Sequence, residues 1–235
     1  MDPQQAQTAK TFDGYKDSYS DAVDAAVAFT GLKTDFFTRV KADYIGDLVA
    51  THFGPAAQLS ALDVGCGVGN YHALLKPRFR QLSGVDVSSA CVDTARERNA
   101  GVDYKVYDGS ALPYADATFD LAFTICVMHH VPPVQWPTFA QEMRRVLKPG
   151  GLALVFEHNP RNPLTMRAVN TCPFDEDAVL LRSEQTEKLY RDAGFSAVRS
   201  SFILSVPAAN GFLRGVDRLF SGLPFGAQYY VAATA

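Results

Sequence analysis

The chain has 235 residues, of which 47% are apolar and 20% charged, and its formal net charge is −3. This composition is typical of a soluble globular protein with one large core. The slight excess of acidic residues argues against a broad nucleic-acid surface, and no apolar run approaches the roughly 18 residues of a membrane span.

The N-terminus and the cysteines bear on location and metal content. Residues 1–14 lack the apolar segment of a signal peptide and are expected to form a frayed tail. Cys66, Cys91, Cys126 and Cys172 have no CxxC spacing, which fits reduced thiols better than disulfides or zinc. We therefore expect a cytoplasmic protein without a bound metal.

Helical spacing and short apolar runs alternate along the chain. Two helices are predicted first, at 19–30 and 34–52, with Thr34 as a candidate N-cap. Five strands and three helices then alternate: strands at 59–64, 82–87, 103–107, 120–127 and 151–157, and helices near 70–79, at 87–99 and at 134–147. A looser stretch leads to a helix at 183–193 and to strands at 195–206 and 228–235. The pattern predicts an α/β fold with a doubly wound, mostly parallel sheet of seven strands.

The first of these strands breaks into alternate glycines. The segment LDVGCGVG occupies residues 62–69, and glycines at a strand end allow a ligand to approach the backbone closely. The third glycine of a dinucleotide-binding GxGxxG is replaced by Asn70, and no GK[ST] follows, which excludes a Walker A loop. By itself, the turn could also be a flexible connection without a ligand.

Three aspartates stand beside the glycine turn or at strand ends. Asp63 precedes the glycines, Asp86 ends the second predicted strand, and Asp108 ends the third. Asp86 could accept hydrogen bonds from two ribose hydroxyls, and Asp108 or its neighbouring NH groups could meet an adenine edge. Each alone could be a solvated aspartate or a helix N-cap. Together they outline a site for an adenosine without a pyrophosphate.

Four segments resemble a known family. LDVGCGVG, GVDVSS, YDGSALPYADATFDLAFTICVMHHV and MRRVLKPGGLALVFE are similar to class I S-adenosylmethionine-dependent methyltransferases of the type 11, small-molecule group, and lie within residues 59–157 in that family's order. FDGYKDSYSDAV and GAQYYVAATA are similar to segments of bacterial relatives, less specifically. The resemblance implies the strand order 3-2-1-4-5-7-6 with an antiparallel last strand. It makes residues 34–235 the methyltransferase domain, preceded by a tail and helical lid at 1–33.

The resemblance also implies S-adenosylmethionine as the cofactor and the residues that contact it. These are Asp63, Gly65, Cys66, Gly67, Asp86, Val87, Asp108, Gly109, Ser110 and Cys126. Aromatic lid residues could face the sulfonium, and we expect Tyr19 at the cofactor and Tyr15 at the acceptor, although with Phe12 they could simply pack the lid. Lys41 could reach the methionine carboxylate or lie on a solvated helix face.

Polar residues follow the fourth and fifth predicted strands, where the methyl acceptor is expected. A hydroxyl acceptor needs a base, and His129 and His130 are candidates with an ordinary pKa near 6.5, although such a pair could instead shape the loop. His158, Asn159, Arg161 and Asn162 open an acceptor-side loop insertion at 158–182 and are expected to bind the acceptor, although Asn-Pro pairs also form turns.

The expected activity is methyl transfer to an oxygen or nitrogen of a small metabolite, sugar or natural-product intermediate, with neither nucleic acid nor membrane as partner. An NAD-dependent oxidoreductase is an alternative, disfavoured by Asn70 and by the absence of a Tyr-x-x-x-Lys pair. A cofactor-binding partner protein without turnover is another. The sequence leaves the acceptor and the oligomeric state open.

Overall fold

A computed structural model describes residues 3–235 and thus all but the first two residues of the predicted tail. Three helices precede the sheet: α1 (Pro3–Tyr15), α2 (Tyr19–Val27) and α3 (Thr34–Phe53). The seven strands are β1 (Ser60–Val64), β2 (Gln81–Asp86), β3 (Asp103–Val106), β4 (Phe119–Ile125), β5 (Leu147–His158), β6 (Ser196–Ile203) and β7 (Gln228–Thr234).

The strands form one sheet in the order β3-β2-β1-β4-β5-β7-β6. The first five strands are mutually parallel, whereas β7 runs antiparallel to both of its neighbours. Both the predicted fold class and the strand order are confirmed. The carboxyl ends of β1, β2, β4 and β5 therefore meet at one edge, where doubly wound sheets bind their ligands.

The remaining helices cover the two faces of the sheet or follow its last strands. They are α4 (His72–Leu75), α5 (Ser89–Arg98), α6 (Trp136–Val146), α7 (Pro163–Thr171), α8 (Ser183–Asp192) and α9 (Gly211–Leu219). Met143 of α6 and Tyr190 of α8 belong to the core on one face, and Tyr44 and Ile45 of α3 to the core on the other. Alternate residues of β4 and β5 supply both cores, which explains their nearly continuous apolar sequences.

Three helical expectations need correction. The predicted frayed tail contains α1, which buries Gln5 and Ala9. Thr34 is the first residue of α3 and not its N-cap, since its hydroxyl donates to Asp24 at 2.6 Å. The helix predicted near 70–79 shortens to α4 followed by a 3₁₀ turn at Lys76–Arg78.

Two helices were missed in regions of looser pattern. The predicted 158–182 loop contains α7, whose N-cap Asn162 accepts hydrogen bonds from the backbone NH groups of Leu164 and Thr165. Pro163 follows as the first helical residue, a position that proline favours. Further along, Asn210 caps α9 in the same way. Among residues 3–235, no helix combines the length and the apolarity that crossing a bilayer requires.

Candidate active site

A cavity of about 540 Å³ opens at the carboxyl ends of the central strands. The glycine turn lines one end of it, and the His129–His130 segment with α7 lines the other. Residues of α1 and α2 lie over the middle, where Phe12, Tyr15 and Tyr19 pack on Phe174 at ring-centroid distances of 5.7, 5.4 and 5.0 Å. The two ends belong to one continuous space.

The glycine turn needs its glycines for two different reasons. Gly65, Gly67 and Gly69 have φ of +80°, +51° and +74°, in the left-handed region that favours glycine. A Cβ on Gly65 would lie 2.5 Å from Val127 Cγ2, whereas a Cβ on Gly67 would meet no described atom within 4 Å. Gly65 is constrained by packing, and Gly67 leaves free space beside the cavity that it lines.

Asp86 holds the glycine turn from the end of β2. Its carboxylate accepts hydrogen bonds from Gly67 N at 2.8 Å and from Ser88 N at 2.9 Å. Burial raises the pKa of Asp86 to about 6, although these backbone donors oppose the shift. Each carboxylate oxygen retains a lone pair that could accept a further hydrogen bond at the cavity wall, and Val87 lies next to it there.

The side chain of Asp63 is held by a hydrogen bond to the buried ring of His72. His72 Nε2 lies 3.0 Å from Asp63 Oδ2, and the other ring nitrogen of His72 contacts the Tyr104 hydroxyl. Burial raises the pKa of Asp63, and the hydrogen bond to His72 opposes that shift. Gly84 leaves room for this packing, because a Cβ there would lie 3.0 Å from His72 Cε1. The ring of His72 thus orients Asp63.

Lys41 is a buried cation without a counterion of its own. It is only 4% exposed, and its Nζ donates to Gln228 Oε1 at 3.1 Å. It forms no ion pair with a carboxylate within residues 3–235, although it lines the cavity. A buried ammonium group is costly unless it is paired, so this position favours an anionic ligand group.

Cys126 follows β4 with φ +56°, a conformation that is uncommon for a residue with a side chain. Its thiol accepts a long hydrogen bond from Gln228 Nε2 at 3.8 Å. Backbone strain of this kind clusters at active sites and ligand clamps. The residue lies on the cavity wall between the two ends.

A hydrogen-bonded cluster of histidines and carboxylates forms the other end. His129 Nδ1 lies 2.6 Å from Glu157 Oε2, and Glu157 also accepts from the backbone NH groups of Val127 and Met128. Asp175 Oδ1 lies 3.7 Å from His129 Nε2 and 3.3 Å from His130 Nε2. Burial alone would lower the pKa of His129, but the two carboxylates raise it well above its ordinary value. His129 is therefore a cation at neutral pH.

The neighbouring histidines are neutral. Burial, followed by the charge of His129, lowers the pKa of both His130 and His158 to about 4. The ring of His158 lies 5.1 Å from that of His129, and both His130 and His158 line the cavity. These pKa shifts favour His130 over His129 as the base, and the catalytic role of both histidines stays a prediction.

His129, His130 and Asp175 are also the residues that could hold a metal ion. One ligand atom from each lies within 4.8 Å of the others, and imidazole with carboxylate is a donor set that divalent ions accept. The Asp175 oxygen is already the partner of both imidazoles, so the cluster is internally satisfied as it stands. The expected absence of a metal remains a prediction.

Most of the predicted site residues line the cavity. They are Tyr15, Tyr19, Lys41, Asp63, Gly65, Cys66, Gly67, Asp86, Val87, Cys126, His129, His130, His158 and Asn162. Sequence reasoning missed Asp175, Tyr71 and Gln228 at the same cavity. Only the position of Asp175 in TCPFDED, within the predicted acceptor-side loop, was a signal.

Three predicted cofactor residues after β3 lie outside the cavity lining: Asp108, Gly109 and Ser110. The Asp108 carboxylate accepts from the Ser110 backbone NH at 2.9 Å and from its hydroxyl at 2.6 Å, which forms a closed turn. Gly109 is covered by α1, because a Cβ there would lie 2.7 Å from Gln5 Cδ. In this arrangement Tyr107 lines the cavity in their place.

Two predicted acceptor residues have other partners. The Asn159 side-chain amide donates to the carbonyl oxygens of Pro224 and Gly226, at 3.1 and 2.8 Å. Arg161 pairs with Glu184 at 2.8 Å on the surface. Neither residue lines the cavity, so part of the polar run after β5 holds this segment of backbone in place through contacts with other parts of the chain.

Residues 62–155 match the methyltransferase domain family. The match covers less than half of the chain, so it shows that this segment is similar to methyltransferase domains. The match covers the glycine turn, Asp86 and the His129–His130 pair, and it gives no support to the oxidoreductase alternative.

Two relatives illustrate the sequence similarity. A ubiquinone biosynthesis O-methyltransferase of Sinorhizobium medicae is 32% identical over 173 residues, which are 66% of this chain and 66% of that protein. A malonyl-[acyl-carrier protein] O-methyltransferase of Erwinia pyrifoliae is 34% identical over 113 residues, 46% of this chain and 41% of that one. The chain thus spans less than two thirds of either relative.

The fold is similar to that of solved structures. The structure of a methyltransferase from Thermotoga maritima, described as a possible histamine N-methyltransferase, has a TM-score of 0.70 and 20% sequence identity. The alignment covers 97% of this chain and 99% of that one, so the helices before the sheet are included. At this identity the likeness shows the fold alone.

Proposed function

We propose that the protein transfers a methyl group from S-adenosylmethionine to an oxygen atom of a small-molecule acceptor. One observation carries the proposal: the same cavity joins the glycine turn and Asp86 to the cluster of His129, His130 and Asp175. A methyl donor and a base can therefore approach one acceptor hydroxyl from two sides.

The cofactor end fits the chemical groups of S-adenosylmethionine. Asp86 would accept hydrogen bonds from the ribose hydroxyls, and the free space beside Gly67 would admit the molecule against the backbone. Lys41 would pair with the methionine carboxylate, since no carboxylate of residues 3–235 forms an ion pair with it. Bound S-adenosylmethionine provides a methyl group on a positively charged sulfur, which needs no further activation.

The acceptor end handles the proton. His130, neutral at physiological pH, would take the proton that the acceptor hydroxyl loses as it receives the methyl group that S-adenosylmethionine would supply. His129, fixed between Glu157 and Asp175, stabilises the negative charge that develops on the oxygen. Water is excluded from this part of the cavity by the aromatic side chains that cover it, Phe12, Tyr15 and Tyr19.

Two measurements test this function. Isothermal titration should show binding of S-adenosylmethionine and none of NAD. Release of S-adenosylhomocysteine should then be measured on a panel of acceptors in matched pairs, each hydroxyl compound against its amine analogue. We expect turnover with hydroxyl members only. Binding of NAD, or turnover confined to amines, would contradict the proposal. Cofactor binding with no turnover on a broad panel would favour a partner protein without catalysis.

A further inference from the structure

One part of the cavity wall is not used by the methyl-transfer chemistry. This region, called the apolar lobe here, lies between the end of α2, the start of α3, α7 and the loops at 204–207 and 225–227. Its walls include Val27, Phe29, Phe36, Leu164, Val206 and Phe225. They come from five separate parts of the chain and enclose one space.

The polar groups in the lobe are almost all occupied by the protein itself. Thr38 donates to the carbonyl oxygen of Thr34 at 2.9 Å, and Thr165 donates to that of Ala227 at 2.7 Å. Within the described residues of the lobe, Ser205 Oγ is the buried hydroxyl left without a partner. An acceptor rich in hydroxyl or charged groups would lose its hydrogen bonds to water there and find few replacements.

The mouth of the lobe is apolar as well. Phe29, Leu164 and Phe225 line the cavity yet are 36%, 59% and 66% exposed, so they form its rim. The Arg167 guanidinium stacks on the Phe29 ring at 4.5 Å, which leaves the other face of that ring for the opening. The apolar side chains inside the lobe and at its rim thus belong to one cavity that opens to solvent.

We propose that the acceptor is a lipophilic phenol or alcohol. Its hydroxyl lies at His130, and its hydrocarbon portion fills the apolar lobe and leaves between Phe29, Leu164 and Phe225. The assignment rests on the proposed function, since it takes the histidine cluster as the reacting end. It excludes unmodified sugars, whose hydroxyls the lobe cannot satisfy, and it makes Ser205 a specificity contact for one polar group on the acceptor.

The test uses the whole protein with S-adenosylhomocysteine bound and a series of 4-alkylphenols from methyl to nonyl. Binding is read from displacement of N-phenyl-1-naphthylamine, a dye that fluoresces in apolar sites, so no turnover is needed. We expect the affinity to rise about fourfold with each added methylene until the chain reaches the rim. Glucose and glycerol should not displace the dye. An affinity independent of chain length, or displacement by glucose, would overturn the proposal.

Two rim variants locate the chain, and one control matches them. Leu164→Ser and Phe225→Ser should each weaken binding of the nonyl compound about three- to tenfold and leave that of the methyl compound unchanged. Phe212→Ser is the control, because Phe212 is 80% exposed and outside the cavity lining. Equal losses in all three would overturn the proposal. A parallel titration with S-adenosylmethionine separates the two claims: without cofactor binding the proposed function fails, whereas intact binding with no chain-length effect rejects the lobe alone.

Discussion

The two ends of the cavity are built from the chain in different ways. The glycine turn and Asp86 both follow directly from the ends of neighbouring parallel strands, β1 and β2, and lie within 25 positions of one another. The histidine cluster needs Glu157 from β5 and Asp175 from the loop after α7, and the lobe beyond it needs α2, α3 and Phe225. The glycine turn and Asp86 are thus close in sequence, with Lys41 and Gln228 added from afar at that end, whereas the whole acceptor end is assembled by the tertiary fold.

The two ends of the cavity also differ in their electrostatics. At the cofactor end Lys41 forms no ion pair with any carboxylate of residues 3–235, and burial raises the pKa of Asp86 to about 6, so both groups gain from a charged or hydrogen-bonding ligand. At the acceptor end His129 is already paired with Glu157 and Asp175. The cofactor end is completed by its ligand, whereas the acceptor end is organised beforehand and needs no reorganisation during the reaction.

Replacing His130 by Ala should have the largest effect on turnover and almost none on cofactor binding. Loss of a general base lowers kcat by about 10²- to 10⁴-fold, and we expect the cofactor Kd to stay within about threefold. Steady-state kinetics and isothermal titration measure the two. His52→Ala is a matched control, since His52 is exposed on α3 and outside the cavity. Wild-type turnover in His130→Ala would contradict the assignment of proton transfer to His130 at the acceptor end.

The pH dependence of kcat/KM also tests His130 as the base. With cofactor saturating, kcat/KM for the acceptor should stay level from about pH 8 to pH 6 and fall only towards pH 4, because burial and the charge of His129 lower the pKa of His130 to about 4. An unperturbed histidine would give a fall near pH 6.5. A fall at that value, lost in His130→Ala, would mean that the cluster is less buried during catalysis than in the free protein.

At the cofactor end, Gly67→Val should abolish binding, with Kd raised more than about 100-fold. The branched side chain would enter the space that the cofactor needs, and φ of +51° would strain it. Gly54→Val is the control, since Gly54 also has positive φ and open surroundings but lies away from the cavity. Calorimetry and thermal unfolding should show similar destabilisation in both variants and lost binding in one. Equal binding would reduce LDVGCGVG to a turn.

This contrast explains how much of the molecule could be predicted from its sequence. The alternation of buried strands and helices predicted the sheet, and residues such as Gly67 and Asp86 could be assigned to the cavity because strand ends of a parallel sheet converge. Asp175 could not, since nothing local links TCPFDED to His129. Asn159 and Asp108 stay predictions: their local pattern suits a site, but Asn159 donates to the carbonyl oxygen of the distant Pro224, and Asp108 accepts from Ser110 in a closed turn.

Asp86→Asn should have a smaller effect and remove a pH dependence. The amide keeps one acceptor oxygen but no charge, so the cofactor Kd should rise about tenfold or more. In the wild type the carboxylate is fully ionised above its pKa of about 6, and binding should weaken as the pH falls through that value. In Asp86→Asn this dependence should be absent. Calorimetric titrations of wild type and variant between pH 5 and 8 measure both Kd values. Any pH dependence that comes from the cofactor itself appears in the variant too and can be subtracted. If the cofactor Kd changes with pH in the same way in wild type and variant, Asp86 does not bind the ribose.

The smallest expected effect concerns α1 and α2, which span both ends. Buried side chains of α1 are limited to Gln5 and Ala9, and the helix is tied down by hydrogen bonds such as Ser88 Oγ to Asp13 at 2.5 Å. Such a segment opens at low free-energy cost, so its amides should exchange quickly in the free protein. Bound cofactor would contact Phe12, Tyr15 and Tyr19 from below and oppose opening, slowing exchange up to about tenfold at about ten times its Kd.

Hydrogen exchange with mass spectrometry measures this on peptides from residues 3–27, with a peptide from α6 as the internal control because its apolar face is buried in the core. The His130→Ala variant, which should bind cofactor normally, should show the same protection. Gly67→Val should show none at any cofactor concentration. Because the aromatic side chains of α1 and α2 also pack on Phe174, beside Asp175, protection by the cofactor would close the lid over the acceptor end as well. Exchange that is equally slow with and without cofactor would instead make α1 and α2 a fixed roof, and acceptors would have to enter through the apolar rim.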